Sequence, residues 1–414
     1  MQRTETFVRP RFGYIVGDLP SPRFGVAVGA AGVAAVLAAV LVSRYGVRQG
    51  ILFALGLLLG ITLYHARFGF TSAFRQFVAV GQGAGLRAHM LMLAVASVLF
   101  APILASGKGL FGVHVAGSLA PVGLAVLVGA FLFGVGMQLG GACASGTLFS
   151  VGGGQTATLF TLAGFIVGSV LGAWHWGFWT QPALNLPALS LATVFGGYFG
   201  ALIVQLGVIG AITLVTILIE RKRRPPQIAP QPSARGLARV IRGTWPLWTG
   251  AVVLAVLNAA TLLVSGHPWG ITSAFALWGS KLAQALGVNV SSWAYWSGSR
   301  AASLHASVLA DVTSVMDFGI VLGAMIAAAL SGTFVLHRHL PPKTVVASLL
   351  GGVLMGYGAR LAYGCNIGAY FSGVASFSLH GWIWAIAALL GTTVGVRLRP
   401  LFGLTVPKQT DAVC

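Results

Sequence analysis

The chain has 414 residues, 57% of them hydrophobic and only 7% charged, with a mean hydropathy of +0.88. That composition excludes an ordinary soluble domain. The formal charge of +19 does not indicate a nucleic-acid partner, because the basic residues sit at the ends of apolar runs and in one linker, as the positive-inside bias of membrane proteins requires.

Residues 1–23 carry four arginines together with Glu5, Asp18 and prolines, and the apolar run 24–42 that follows has no A-x-A cleavage site. It reads as a retained first helix. Further spans are predicted at 50–65, 88–107, 117–138, 155–176, 190–219, 246–264, 315–336, 344–363 and 380–398. Ten spans put both termini on one side. With the Pro/Arg-rich linker 220–245 placed in the cytoplasm, 19 of the 25 Lys and Arg residues fall inside, and Arg44, Arg48, Lys108, Lys281, Arg300 and Arg360 fall outside or at helix ends.

The chain repeats itself. RFGFTSAFRQF (67–77) is echoed by WGITSAFAL (269–277), and FGVGMQLGGACASGTLFS (133–150) by MGYGARLAYGCNIGAYFS (355–372). At an offset of 222 the second pair matches Gly134 with Gly356, Gly136 with Gly358, Gly146 with Gly368, Ser150 with Ser372 and Cys143 with Cys365. The spans preceding the two TSAF motifs are five apart, so the repeats cross the membrane in opposite directions. The motif segments 68–79, 141–153, 268–285 and 364–375 are too short and too glycine-rich to span, and read as re-entrant loops feeding half-helices. The expected architecture is therefore all-α: a polytopic integral membrane protein with inverted repeats, about ten transmembrane helices and four re-entrant half-helix loops. Its divisions are 1–47 (N-terminal cytoplasmic segment and extra helix), 48–219 (first membrane repeat), 220–245 (cytoplasmic linker) and 246–414 (second, inverted repeat).

Thr71-Ser72 and Thr272-Ser273 suit N-caps, and a half-helix starting at membrane depth aims unpaired N–H groups into the cavity. A single such motif is more often plain helix packing; two matched copies favour a site. Cys143 and Cys365 lie in tight turns, each followed by a residue suited to capping, Ser145 after the first and Asn366 after the second. A buried thiol is usually a small hydrophobe, but matched thiols in both repeats favour contact with a soft, sulfur-bearing ligand. Two thiols without a nearby Cys, His or carboxylate set fall short of a zinc shell, and no cofactor is expected. Arg360 lies in an otherwise apolar helix five residues before Cys365. Only six carboxylates occur (Glu5, Asp18, Glu220, Asp311, Asp317 and Asp411), most in termini or linker, which favours an anion over a cation. His65, His114, His175, His267 and His380 are expected at the interfaces, with Trp174, Trp176, Trp179, Trp382 and Trp384. The terminal Cys414 is expected to fray.

At these motifs the chain resembles the YeeE/YedE family of sulfur-transport membrane proteins, and by length its longer YedE-type branch. YGARLAYGCNIGAYFSGVASFSLHGWIWAIA (357–387), RFGFTSAFRQF and GMQLGGACASG carry the likeness, which covers about residues 50–400. The resemblance implies an hourglass-shaped inner-membrane protein that passes thiosulfate or a related small sulfur-containing anion, with Cys143 and Cys365 touching substrate at a central constriction. It also implies a cytoplasmic TusA-like sulfur carrier as partner, besides membrane lipid. Members often have a further cysteine where Gly69 stands here, so this chain supports a pathway of two cysteines. The expectation is a permease rather than an enzyme, with Thr71, Ser72, Thr272, Ser273, Ser145, Asn366 and Arg360 beside the cysteines. The alternatives are a membrane sulfurtransferase forming a cysteine persulfide and a selenium- or sulfite-related permease.

Overall fold

The computed structural model describes residues 20–226, 234, 236, 238–337 and 339–408. Cys414, Glu5, Asp18, Asp411 and part of the linker lie outside the described residues. In chain order the principal helices are α1 (Phe24–Tyr45), α2 (Val47–Ala66), α3 (Phe70–Val80), α4 (Ala84–Ser106), α5 (Leu124–Leu139), α6 (Ala144–Gly152), α7 (Ala157–Trp174), α8 (Tyr198–Arg223), α9 (Leu247–Ser265), α10 (Thr272–Ala285), α11 (Val312–Leu330) and α12 (Pro342–Leu361). They are followed by α13, a π-helical turn Asn366–Phe371 continued by Ser372–Ala375, and α14 (Leu379–Leu398). Among the described residues ten segments are long and apolar enough to cross a membrane, and the four short helices α3, α6, α10 and α13 occupy the four segments read as re-entrant. The chain is an all-α multi-pass membrane protein.

Each predicted span coincides with one long helix. Two begin later than their apolar runs. The run from 117 contains Gly117 and Pro121 and first forms a two-residue strand β1 (Val122–Gly123), paired antiparallel with β2 (Asn185–Leu186), before α5 starts at Leu124. The run from 190 is interrupted by Gly196 and Gly197 at φ of 69° and 110°, so α8 starts at Tyr198.

Packing relates each helix of the first set to the helix seven later. α2 packs on α11 as α9 packs on α4; α7 packs on α12 as α14 packs on α5; α6 meets α11 as α13 meets α4; α7 meets α10 as α14 meets α3. The pairs α2–α9 and α5–α12 meet across the pseudo-two-fold itself. Under the same exchange α1, which packs on α11, corresponds to α8, which packs on α4. These two take equivalent peripheral places, with Phe24, Val28 and Val36 of α1 and Phe199, Ile203 and Leu214 of α8 turned outward and exposed.

Glycine sets the closeness of this packing. Apolar side chains gain little by leaving lipid for another helix, so membrane helices associate through close backbone approach at small residues. Gly134 lies against Ala388 of α14 and its match Gly356 against Phe165 of α7; Gly136 lies against α12 and its match Gly358 against α5. These matched glycines are packing elements. A side chain at Gly168 would place its Cβ 2.8 Å from the Val353 Cα of α12, whereas Gly207 of α8 has nothing within 4 Å. Gly168→Val is expected to destabilise the detergent-solubilised protein by about 1–3 kcal/mol, the range for overpacking. Gly207→Val is expected to leave its thermal unfolding unchanged; equal melting of the two variants would contradict the packing assignment.

Candidate functional site

Each cysteine sits at the start of a half-helix because the backbone turns sharply just before it. Gly141 has φ of 78° ahead of Cys143; Tyr363 and Gly364 have φ of 56° and 150° ahead of Cys365. Both cysteines then adopt extended backbone and act as N-caps. Cys143 Sγ accepts from Gly146 N–H at 3.4 Å and Cys365 Sγ from Ile367 N–H at 3.4 Å. The thiols, not Ser145 and Asn366, do the capping, which corrects the sequence expectation. Ser145 Oγ lies 3.4 Å from Cys143 Sγ, and the Asn366 side chain is fully buried with neither amide atom partnered among the described residues. Each cysteine is 1% exposed, and α6 packs on α13. Neither is in a disulfide.

One face of this centre opens into a cavity of about 270 Å³. Gly364 and Gly368, which bracket Cys365, form its floor, and its walls carry Arg360, Arg300, His267, Thr272 and Ser273 without a carboxylate. Arg360, in the last turn of α12 and 6% exposed, donates to the Tyr295 hydroxyl and to Thr272 Oγ1, both at 2.6 Å, and its Nε has no partner among the described residues. The Arg300 guanidinium lies over the Tyr295 and Trp176 rings, 4.7 and 5.4 Å from their centroids. α10 starts at Thr272, so its unpaired N–H groups face the same space. Two guanidinium groups, a helix N-terminus and hydroxyls without a counter-charge suit a small oxyanion.

The hydroxyl pairs are not caps either. α3 and α10 are capped by Gly69 and Ile271 with no side-chain cap bond. Ser72 Oγ instead donates to Gly69 O at 3.0 Å, and Ser273 Oγ to Thr313 Oγ1 at 3.1 Å. Thr71 is buried at 4%, and its Oγ1 has no hydrogen-bond partner among the described residues. The structure thus brings Ser145 to Cys143, brings Asn366, Arg360 and Thr272 to the side of Cys365, leaves Ser273 on the cavity wall and turns Ser72 onto its own loop.

The opposite face differs. Gln138 stands at the offset of 222 from Arg360, and its Nε2 donates to Thr71 O at 3.3 Å. Positive charge comes from elsewhere: Arg399, just past α14, donates to Gln138 O at 2.5 Å, and α3, which carries Arg75, meets α14. Ser372, the match of Ser150, is a clamp: its Oγ donates to Trp269 O at 2.7 Å and receives Asn258 Nδ2 at 3.1 Å, tying α13 to the loop before α10.

Sequence reasoning missed Tyr295 and Arg300. They lie on the connection between α10 and α11, for which the first repeat has only Gly81–Gly83. A signal existed, since the TSAF motifs are offset by 201 and α4 and α11 by 228, so the second repeat carries an insertion there. Of the His and Trp residues expected at the interfaces, His65, His380 and Trp384 are buried in protein, His65 against Gly243 O and the Trp245 ring, His380 against Ser378, and Trp384 with Nε1 on Gly364 O.

The family model for sulphur transport matches residues 65–394, which include both cysteine turns and both TSAF half-helices. The Probable transporter YedE of Escherichia coli (strain K12) is 32% identical over 167 residues, 40% of this chain and 41% of that relative, so the match spans about two fifths of YedE. The Thiosulfate transporter TsuA of Spirochaeta thermophila is 29% identical over 346 residues, 81% of this chain and 94% of the relative. TsuA of E. coli (strain K12) is 29% identical over 359 residues, 83% and 94%. With its family match running through both halves of the pseudo-symmetric bundle, the chain belongs to the sulphur-transport family, that of YeeE and YedE.

Proposed function

We propose that the protein is a permease of the bacterial inner membrane, with both termini cytoplasmic, that passes thiosulfate or a closely related small sulfur-containing anion. The observation that carries this reading is the cationic cavity of Arg360, Arg300 and Thr272 whose floor brackets Cys365. The arginines and the α10 N-terminus attract the oxyanion end. The thiols of Cys365 and then Cys143 follow, where weak S–H donors hold a soft sulfur atom without trapping it. Passage needs contacts that the ion can leave as well as enter. Thr71, Ser145 and Asn366 supply the polar groups around the thiols, and Arg75 and Arg399 draw the anion out on the other face. A cytoplasmic TusA-like sulfur carrier would take the sulfur after entry.

The test is uptake of labelled thiosulfate by proteoliposomes in competition with sulfate and selenite. Thiosulfate should enter, with unlabelled thiosulfate competing better than sulfate, which has no soft sulfur end. No uptake, or equal competition by sulfate, would overturn the substrate; stronger competition by selenite would transfer it to selenium chemistry.

A further inference from the structure

Two buried ionisable side chains occupy equivalent places in the repeats, and neither lines the cationic cavity. His89 is the sixth residue of α4 and Asp317 the sixth of α11, the helices that the pseudo-two-fold exchanges. They are 1% and 0% exposed. Among the described residues neither carboxyl oxygen of Asp317 and not Nδ1 of His89 has a hydrogen-bond partner. Each helix packs on a half-helix headed by a cysteine, α11 on α6 and α4 on α13. His89 stacks on Phe70 with centroids 4.5 Å apart and meets the edge of Tyr370, five residues past Cys365, at 6.3 Å.

The groups around them are few. On the elements packed against α11, α6 has no ionisable side chain beyond its capping Cys143, and α1 has Arg44 and Tyr45 in its last turn. α2 has Arg48, held by the carbonyls of Val264 and Ser265, Tyr64, bonded to Thr333, and His65, bonded to Gly243. α10 has Lys281, held by the carbonyls of Leu304 and Ala306, and Asp311 caps α11 itself through Ser314. Against α4, α3 has Arg75 and α13 has Tyr370. α8 has Tyr198 at its start, Glu220 paired with Arg87, and Arg221, Lys222 and Arg223 at its end; α9 has none.

A buried carboxylate on a helix packed against a cysteine-headed half-helix repels an anion that passes there, and an ion without hydrogen bonds is costly to bury. An anion entering a cell whose interior is negative also moves against the membrane potential. Both difficulties have one remedy. A proton on Asp317 removes a negative charge, a proton on His89 adds a positive one, and the two together balance a dianion. Resting on the permease reading, we propose that Asp317 and His89 are the proton-binding sites of the passage and that a divalent sulfur oxyanion crosses together with protons held there. An O–H bond forms at the Asp317 carboxyl and an N–H bond at His89 Nδ1, with protons from the water on the side of entry. Both bonds break, returning the protons to water on the far side, as the anion leaves.

The experiment uses the full chain in proteoliposomes with the membrane potential clamped at zero. Labelled thiosulfate uptake and luminal pH are recorded together for wild type, Asp317→Asn, Asp317→Glu and His89→Gln. In wild type, thiosulfate addition should acidify the lumen and an inward proton gradient should speed uptake. Asp317→Asn should lose the Asp317 share of that acidification and most of the gradient response while still passing thiosulfate down its own gradient. Asp317→Glu should retain both, and His89→Gln should lower the protons moved per thiosulfate. Wild-type uptake with no proton movement overturns the inference by itself, as does unchanged coupling in Asp317→Asn. Absence of any wild-type uptake instead overturns the permease reading.

Discussion

Cys365→Ala is expected to lower the rate of thiosulfate uptake by proteoliposomes up to about tenfold, and Cys143→Ala by a similar factor. A net hydrogen bond contributes roughly 0.5–1.5 kcal/mol, and about 1.4 kcal/mol is tenfold in rate. The sulfur atoms are the groups in the centre that a soft ligand end prefers, and both are buried at 1% exposure where half-helices from the two repeats meet. Serine restores a donor but not a polarisable atom, so Cys365→Ser should fall between wild type and alanine. Because each thiol also caps a half-helix, alanine costs about 1 kcal/mol of local stability. Thermal unfolding in detergent should therefore shift only slightly. Unchanged uptake in both alanine variants would remove the cysteines from the pathway.

Arg360→Met is expected to be at least as severe, lowering uptake at sub-saturating thiosulfate by about ten- to a hundredfold. Hydrogen bonds from a charged donor contribute roughly 1.5–3 kcal/mol. The substitution removes two of them and leaves the Tyr295 hydroxyl and Thr272 Oγ1 without their donor. It also takes one of two guanidinium groups from a cavity with no carboxylate in its walls. Arg360→Lys keeps the charge but not the planar fork that reaches both partners, so it should recover only part of the loss. The loss should appear mainly as a raised half-saturation concentration and should shrink when substrate is in excess, as capture of the anion in the cavity under the proposed function requires. A lowered maximal rate with unchanged half-saturation would place Arg360 in folding or gating instead.

The contrast between Arg360 and Gln138 shows why the two faces cannot be read from symmetry alone. The residues match at an offset of 222, and each donates toward a TSAF half-helix, Arg360 to Thr272 Oγ1 and Gln138 to Thr71 O. On one face the charge is within the motif; on the other it comes from Arg399, beyond α14, and Arg75. Likewise, the insertion between α10 and α11 adds Tyr295 and Arg300 to one face only. The two faces of the pseudo-symmetric bundle thereby differ in charge and in the residues they carry.

The membrane character, the ten spans, the four half-helices, the opposed repeats and the two cysteine turns were legible in the order of residues alone. These follow from local properties: uninterrupted apolar length makes a span, glycine and left-handed backbone break it, and the count of spans between copies sets their relative direction. Which groups stand at which end follows from the packing of the folded chain. It made the cysteines the caps and released Thr272 to Arg360, because capping depends on where the turn places the side chain and not on hydroxyl content. It also gave α1 and α8 equivalent peripheral places and set His89 and Asp317 at matching buried positions on α4 and α11. Arg360 and Thr272 lie 88 positions apart and Arg399 and Gln138 261, and hydrophobic periodicity carries no record of which helix will lie against which. Close packing at matched glycines settles that, and with it the chemistry of the centre.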